Sequence, residues 1–307
     1  MNDPHEKRTV HMRLFYRNWY TTTTMTEKDI LITKFDGTLA PFDAQKILSS
    51  IMRTGADEAT AKKVLQAVES KLKPKMKTKT IYAIVRKELA NIKPWAGVRY
   101  TLREAIVKLG PAGYNFEKYV SAVLSAYGYK TATPDTYRGA CIEHEIDVTA
   151  EKDGRTAFIE AKFRHDFTST ITIKDTMATW ARFLDLVDGS KIGNCPHFDE
   201  VWIVTNASFT DQSLQFGHCK HMKLIGWNHP TEQTFAQMVD INSLYPLTVL
   251  NDLTSSEISA FARTDLMLCR ELITIPVDQL SSTTQIPQRR LQKILTECAE
   301  VVDGDKA

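Results

Sequence analysis

Two runs in the middle of the chain alternate apolar and polar residues with the period of a strand, and an Asp-Gly pair joins them. In EIDVTA, residues 145–150, Ile146 and Asp147 must point to opposite faces. The intervening Asp153-Gly154 is a strong hairpin signal. In AFIEAKF, residues 157–163, Glu160 and Lys162 are two apart and share one face, while Ile159, Ala161 and Phe163 take the other. Closing this hairpin predicts two carboxylates and an ammonium gathered at a strand end over an apolar layer. Asp147 and Glu160 are then candidate ligands for Mg²⁺, shared with waters and phosphate oxygens. Lys162 would orient the attacking water and offset developing charge, an arrangement suited to metal-dependent phosphodiester hydrolysis. The same pattern also occurs on ordinary surface strands, where Glu and Lys alternate as cross-strand pairs.

The neighbouring segments favour the first reading. Residues 116–129, FEKYVSAVLSAYGY, predict a helix with Phe116, Tyr119, Val120, Val123, Leu124 and Tyr127 on one stripe and Glu117 near its start. An amphipathic helix follows FIEAKF, then VWIVTNASFT at 201–210 and KLIGW at 223–227 read as further strands. From Gly113 to about Pro230 this order resembles the Mrr-type catalytic domain of restriction endonucleases, in the PD-(D/E)xK nuclease superfamily. The resemblance implies a mixed sheet flanked by helices, catalysis by Asp147, Glu160 and Lys162, and an assisting acid at Glu117. The usual Gly-Asp-Gly-Gly-x-Asp start is replaced by His144-Glu145-Ile146-Asp147. His144 is either a phosphate-side group or an exposed strand-entry residue, and its nearness to Asp147 favours a functional role. Arg164 and His165 are placed either for phosphate contact or as a solvated strand exit.

Upstream, ILITKFDGTLAPF at 30–42 reads as two short strands about an Asp36-Gly37 turn. Asp43 is the expected N-cap of AQKILSSIMR, with Ile47, Leu48, Ile51 and Met52 on its apolar stripe. Two more amphipathic helices are expected, over Asp57–Leu72 with Val64, Leu65, Val68 and Leu72 inward, and over Thr80–Asn91 with Ile81, Ile84, Val85 and Leu89 inward. This segment resembles the ATP-cone, a nucleotide-binding regulatory module of ribonucleotide reductases and their repressor. The matching stretches are Ile32-Thr33-Lys34-Phe35-Asp36-Gly37, Pro41-Phe42-Asp43 and Lys46-Ile47. The resemblance implies ATP or dATP as regulatory ligand, with Lys34 and Lys46 on the triphosphate at a helix start and Ile32 on the adenine. Phe35 stands where the family has Arg, which removes one phosphate contact. A hairpin and helices that bind no nucleotide are the alternative. No glycine-rich P-loop occurs, so nothing supports nucleotide hydrolysis.

With 307 residues, 43% of them hydrophobic, two or three ordinary domains fit. A net charge of +2 confines any nucleic-acid surface to a local patch. The candidate is KLKPKMKTK at 71–79, read first as a solvated loop and otherwise as a DNA-backbone contact. No run reaches the ~20 apolar residues of a membrane span, and Met1–Thr24 shows no secretory core. Five cysteines without metal-pair spacing fit reduced thiols in a cytoplasm, and His218, Cys219 and His221 lack a fourth ligand for zinc. Arg99–Leu109 reads as one connecting helix. Past Pro230 the chain turns helical, with ISAFARTDLMLCREL and QRRLQKILTECAEV, and IPQRRLQKI at 286–294 faintly resembles a helix-hairpin-helix whose loop lacks Gly.

The sequence thus predicts an α/β protein with a restriction-endonuclease-like mixed sheet. The expected parts are a flexible arm at 1–28, an ATP-cone at 29–95, a connecting helix at 96–112, an endonuclease domain at 113–232 and a helical, helix-hairpin-helix-like region at 233–307. The expected activity is Mg²⁺-dependent DNA hydrolysis of restriction type under ATP or dATP control, with a homodimer for double-strand cutting and no membrane partner. A structure-specific junction or repair nuclease, and a nucleotide-regulated DNA-binding protein with a silent site, are the alternatives.

Overall fold

The structure, a computed structural model, describes residues 30–110, 115–166 and 169–304. The expected arm at 1–28 lies outside them, as does Gly113, where the Mrr-type resemblance begins.

The N-terminal unit starts with the antiparallel hairpin β1 (Leu31–Thr33) and β2 (Leu39–Pro41). Helix α1 (Ala44–Arg53) is capped by the Asp43 side chain, which accepts from the Lys46 amide. Helices α2 (Glu58–Glu69), capped by Asp57, and α3 (Thr78–Ile92) complete it. Ile32, Ile51, Val64, Val68, Ile81, Val85 and Leu89 form its core, as the helical stripes require. Met52, expected inward, is instead exposed, and Leu65 is half-buried.

The segment after α3 is not the single helix expected over Arg99–Leu109. It is two short helices, α4 (Pro94–Arg99) and α5 (Leu102–Val107), broken at Tyr100-Thr101. Ala96 and Tyr100 belong to the N-terminal core, whereas Leu102, Ala105, Ile106 and Leu109 enter the main core. One straight helix has one apolar stripe and cannot serve two cores in succession; the break redirects it. The Thr101 hydroxyl, bonded to the Val98 carbonyl at 2.8 Å, satisfies a carbonyl there.

In the central unit, α6 (Phe116–Ala126) precedes β3 (Lys130–Ala132), β4 (Asp135–Arg138), β5 (Glu143–Ile146), β6 (Val148–Lys152), β7 (Arg155–Lys162) and β8 (Thr170–Ile171). Helix α7 (Ile173–Lys191), strands β9 (Glu200–Thr205) and β10 (Ser208–Phe209), helix α8 (Asp211–Cys219) and strand β11 (Lys223–Ile225) follow. The mixed five-stranded sheet has the order β11-β9-β7-β6-β3, with β11, β9 and β7 parallel and β6 antiparallel to both its neighbours. One sheet face, with Ile159, Ala161, Trp202 and Val204, packs on α6 and on the C-terminal helices in one continuous core. The other, with Phe158, Val201 and Ile203, packs on α7 through Phe183 and Leu186.

The C-terminal region comprises α9 (Phe235–Ile241), a 3₁₀ turn (Leu247–Val249), α10 (Ser255–Arg263), α11 (Cys269–Leu272), α12 (Val277–Thr284) and α13 (Gln288–Asp303). Between α12 and α13, Gln285 takes the left-handed conformation (φ 62°) that Gly usually supplies in such a turn. No helix among the described residues is long and apolar enough to cross a membrane.

Candidate functional site

The EIDVTA run is not one strand. Strand β5 pairs with β4 and β6 pairs with β7, so the chain changes partner at Asp147, which sits in a bend between them. Ile146 and Val148 are both fully buried and enter the cores on opposite sheet faces, and this fixes the bend. Val148 pairs with Ile159, so the next position sets Asp147 across from Glu160. The amide of Ala161 donates to Asp147 Oδ2 at 2.7 Å. As the alternation predicts, Ile159 and Ala161 enter the main core while Glu160 and Lys162 take the opposite face.

Glu160 is 4% exposed. Its Oε1 accepts from Lys162 Nζ and its Oε2 from Arg182 Nη1, so both oxygens are charge-paired. Arg182 is the site residue that sequence reasoning missed. It projects from α7, stacks its guanidinium over the Phe158 ring at 5.3 Å and donates its other nitrogen to the Glu145 carbonyl. Nothing in the local sequence around Arg182 marks it, because its partner lies on another element.

Burial first, and then the charges of Glu160 and Glu117, push the Asp147 carboxyl up to about 6 against the pull of the Ala161 amide and Arg182. Glu117, half-buried in the first turn of α6, is near enough for its charge to act on Asp147. Three acidic groups thus meet two cations, and Asp147 is left short of positive charge. Carboxylate oxygens suit a hard divalent ion, so Asp147, Glu160 and Glu117 fit one in donor type and charge. As they stand they are not a ready cage: no group of three or more His, Cys, Asp or Glu side chains among the described residues converges to hold a metal. Glu160 is turned to Lys162 and Arg182 instead.

The flanking basic residues have structural partners. His144, expected on the functional side, is 7% exposed and lies 2.8 Å from Asp185 of α7. On β5 it is an odd-numbered step from Asp147, so alternation turns it toward that helix. The Arg164 backbone pairs with the Asn206 side chain through both N–H and C=O, and its guanidinium reaches Asp175 at 3.1 Å. His165 is exposed and meets the edge of Phe163.

In the N-terminal unit, Lys34 follows β1 in the hairpin turn, exposed, with its backbone closing the turn to Thr38 and Gly37. Lys46 is exposed in the first turn of α1 and lies 3.5 Å from Asp43. Ile32 is buried in the unit's core. Phe35 is 52% exposed at the turn, with Leu31 and Leu39 also exposed on the hairpin.

Residues 30–105 match the ATP cone domain family model, and residues 245–302 match the model described as AF1548-like, C-terminal. The cone therefore runs past the expected end at 95, consistent with Ala96 and Tyr100 in its core. The sheet with Asp147, Glu160 and Lys162 falls between the two matched stretches. An uncharacterized protein from Archaeoglobus fulgidus is 30% identical over 183 residues, covering 60% of this chain and 99% of that protein. A crystal structure of a protein of unknown function, AF1548, aligns with a TM-score of 0.52 at 29% identity, over 62% of this chain and 98% of the other.

Proposed function

The chain belongs to the same family as the uncharacterized Archaeoglobus fulgidus protein; that kinship brings no activity with it, and from the site geometry we propose a metal-dependent DNA endonuclease regulated by nucleotide. The observation that carries the reading is the convergence of Asp147, Glu160 and Lys162 at one strand end, with the Asp147 carboxyl pushed up to about 6. Asp147 and Glu160 would hold Mg²⁺, with Glu117 as assisting acid. Such an ion, when bound, lowers the pKa of its water and stabilises charge on the scissile phosphate. Lys162 orients the attacking water and offsets charge as the phosphorane-like state forms. Arg182 holds the Glu160 carboxylate in place through its Oε2.

The cone indicates nucleotide-binding regulation, and the finer reading is ATP or dATP, with Lys34 and Lys46 on its phosphates. Restriction-type cutting by a homodimer in the cytoplasm extends the same reading. Calorimetry with ATP, dATP and AMP tests the ligand: the triphosphates should bind more tightly than AMP. No heat at millimolar ATP would mean that the cone, with Phe35 in place of Arg, has lost its ligand.

Incubating supercoiled plasmid, methylated plasmid and a four-way junction with Mg²⁺, with and without ATP or dATP, tests the activity. Cutting by the wild type should fall at least ~10²-fold in Asp147→Ala, Glu160→Ala and Lys162→Ala, the scale of a lost charge-stabilising group. Preference for the junction would make it a structure-specific repair nuclease. A second reading, a nucleotide-regulated DNA-binding protein with a silent site, draws on the pairing of both Glu160 oxygens with Lys162 and Arg182. DNA retained but never cut would decide for it.

A further inference from the structure

The lysine-rich segment 71–79 is held in place rather than left to solvent. The Lys75 amide donates to the Leu31 carbonyl at 2.7 Å, and the Thr33 hydroxyl donates to the Lys75 carbonyl at 2.9 Å. Thr33 forms a parallel bridge with Lys77, its amide donates to the Met76 carbonyl at 3.0 Å, and the Thr78 hydroxyl closes onto the Thr33 carbonyl at 3.0 Å. The segment therefore lies along the edge of β1, and Lys75 takes a left-handed turn at φ 61°.

Lys71 is paired with Glu88 at 2.5 Å. Lys73, Lys75, Lys77 and Lys79 are all exposed, and among the described residues none has a carboxylate within ion-pair distance, unlike Lys46, Lys62 and Lys93 of the same unit. Four like charges gathered without counter-charges repel one another, a cost that a loop needing only solubility avoids by interspersing acids. In a chain of net charge +2 this concentration is local, and exposed ammoniums carried on a backbone held along β1 complement a row of backbone phosphates.

We propose that Lys73, Lys75, Lys77 and Lys79 form a docking surface for the phosphate backbone of double-stranded DNA, distinct from the strand end that bears Asp147. The inference deepens the nuclease reading and rests on DNA being the substrate, but binding can be read without cutting. The contacts are to phosphate, so they add affinity that does not depend on base sequence.

The test measures binding of a fluorescent duplex to the full chain in EDTA across a salt series. The variant carries Lys73→Gln, Lys75→Asn, Lys77→Gln and Lys79→Gln; Asn tolerates the left-handed backbone at position 75. A second variant carries Arg at all four positions and keeps the charge. The Gln/Asn variant should bind at least ~10-fold more weakly near 0.1 M salt, and its log–log salt slope should be shallower by roughly 2–4, since each neutralised phosphate contributes about 0.9. The Arg variant should bind like wild type. Affinity and slope unchanged in the Gln/Asn variant overturn the inference and leave the nuclease reading standing. So does a variant that loses ATP heat but keeps its duplex affinity, or one whose loss appears with duplex RNA and not with DNA. Failure of wild type to cut DNA, with the binding difference intact, removes the nuclease reading alone.

Discussion

Asp147 carries its charge at a cost that pH should expose. With its carboxyl held near 6 and the ordinary value near 3.9, the folded protein binds more protons than the unfolded chain between about pH 4 and 6. Stability from this group is therefore present below that window and lost as pH rises through it. Asp147→Asn keeps an acceptor for the Ala161 amide and removes the charge. In EDTA it should stabilise the protein by about 1–2 kcal/mol at pH 7.5, less than the full shift implies because the group is partly exposed, and by nothing at pH 4. Urea melts at the two pH values measure this; an equal gain at both would show that the charge is not strained. Arg182 works in the opposite sense, since it and Lys162 compensate the nearly buried Glu160. Arg182→Ala should cost about 1–3 kcal/mol, the range for a charge-assisted bond. It should also slow cleavage, while Arg182→Lys, lacking the fork that also reaches the Glu145 carbonyl, should restore only part of either. Wild-type stability and cutting in Arg182→Ala would make the residue a bystander.

Helix α7 serves the site as a frame. Three residues past Arg182, Asp185 accepts from the amides of Cys141 and Ile142 at 2.8 and 3.3 Å and meets His144 at 2.8 Å. These bonds hold the Asp185 carboxyl well below the usual carboxylate range, His144 first among them. The β4–β5 hairpin is thus strapped to α7 just before the chain bends at Asp147. Contact is close enough that a Cβ on Gly189 would lie 2.7 Å from the Gly139 backbone. Gly189→Ala should therefore lower stability by about 1–3 kcal/mol, the range for overpacking, and speed amide exchange in β4 and β5. Unchanged exchange there would mean that the hairpin is held by its own ladder alone. The alternation was legible in β6, where Val148 and Ala150 enter the core and Thr149 and Glu151 do not, and in β7, where Ile159 and Ala161 face that core while Glu160 and Lys162 take the other face. The strap was not, because Asp185 and His144 are 41 residues apart and meet only when the helix covers the sheet.

At the scale of the molecule, the cone is clamped to the C-terminal helices. Arg53, at the end of α1, donates to Asp240 of α9 at 2.8 Å, and the Tyr245 hydroxyl donates to the other Asp240 oxygen at 3.0 Å. Arg99 lies between the Trp95 and Tyr245 rings and donates to the Val301 and Val302 carbonyls at 2.7 and 2.9 Å, at the negative end of α13, and to Thr54 at 3.1 Å. Burial pushes the Asp240 carboxyl up in spite of Arg53. Arg53→Ala leaves that carboxylate with little compensation and should cost about 3–5 kcal/mol, as for a broken buried pair. Because α1 carries Lys46 in its first turn and ends at Arg53, the variant should also keep ATP heat while losing any ATP effect on the exchange of α9. Retention of that effect would place the coupling elsewhere.

Periodic and local features can be read from the chain alone: the cone's helical stripes, the Asp43 cap, and the face shared by Glu160 and Lys162. Period and capping act within a turn or a strand pair, so they are written in neighbouring residues. Even the set of Asp147 against Glu160 follows from one hairpin. Tertiary structure decided what comes from far along the chain. Arg182 reaches Glu160 from another element, His144 turns from the site to Asp185, and Asp147 becomes a bend because its neighbours enter different cores. The connecting helix breaks at Tyr100 for the same reason, since the two sides of the break are drawn into separate apolar clusters. Burial rewards each of these contacts only after the elements have packed, and no spacing in the chain records which elements those will be.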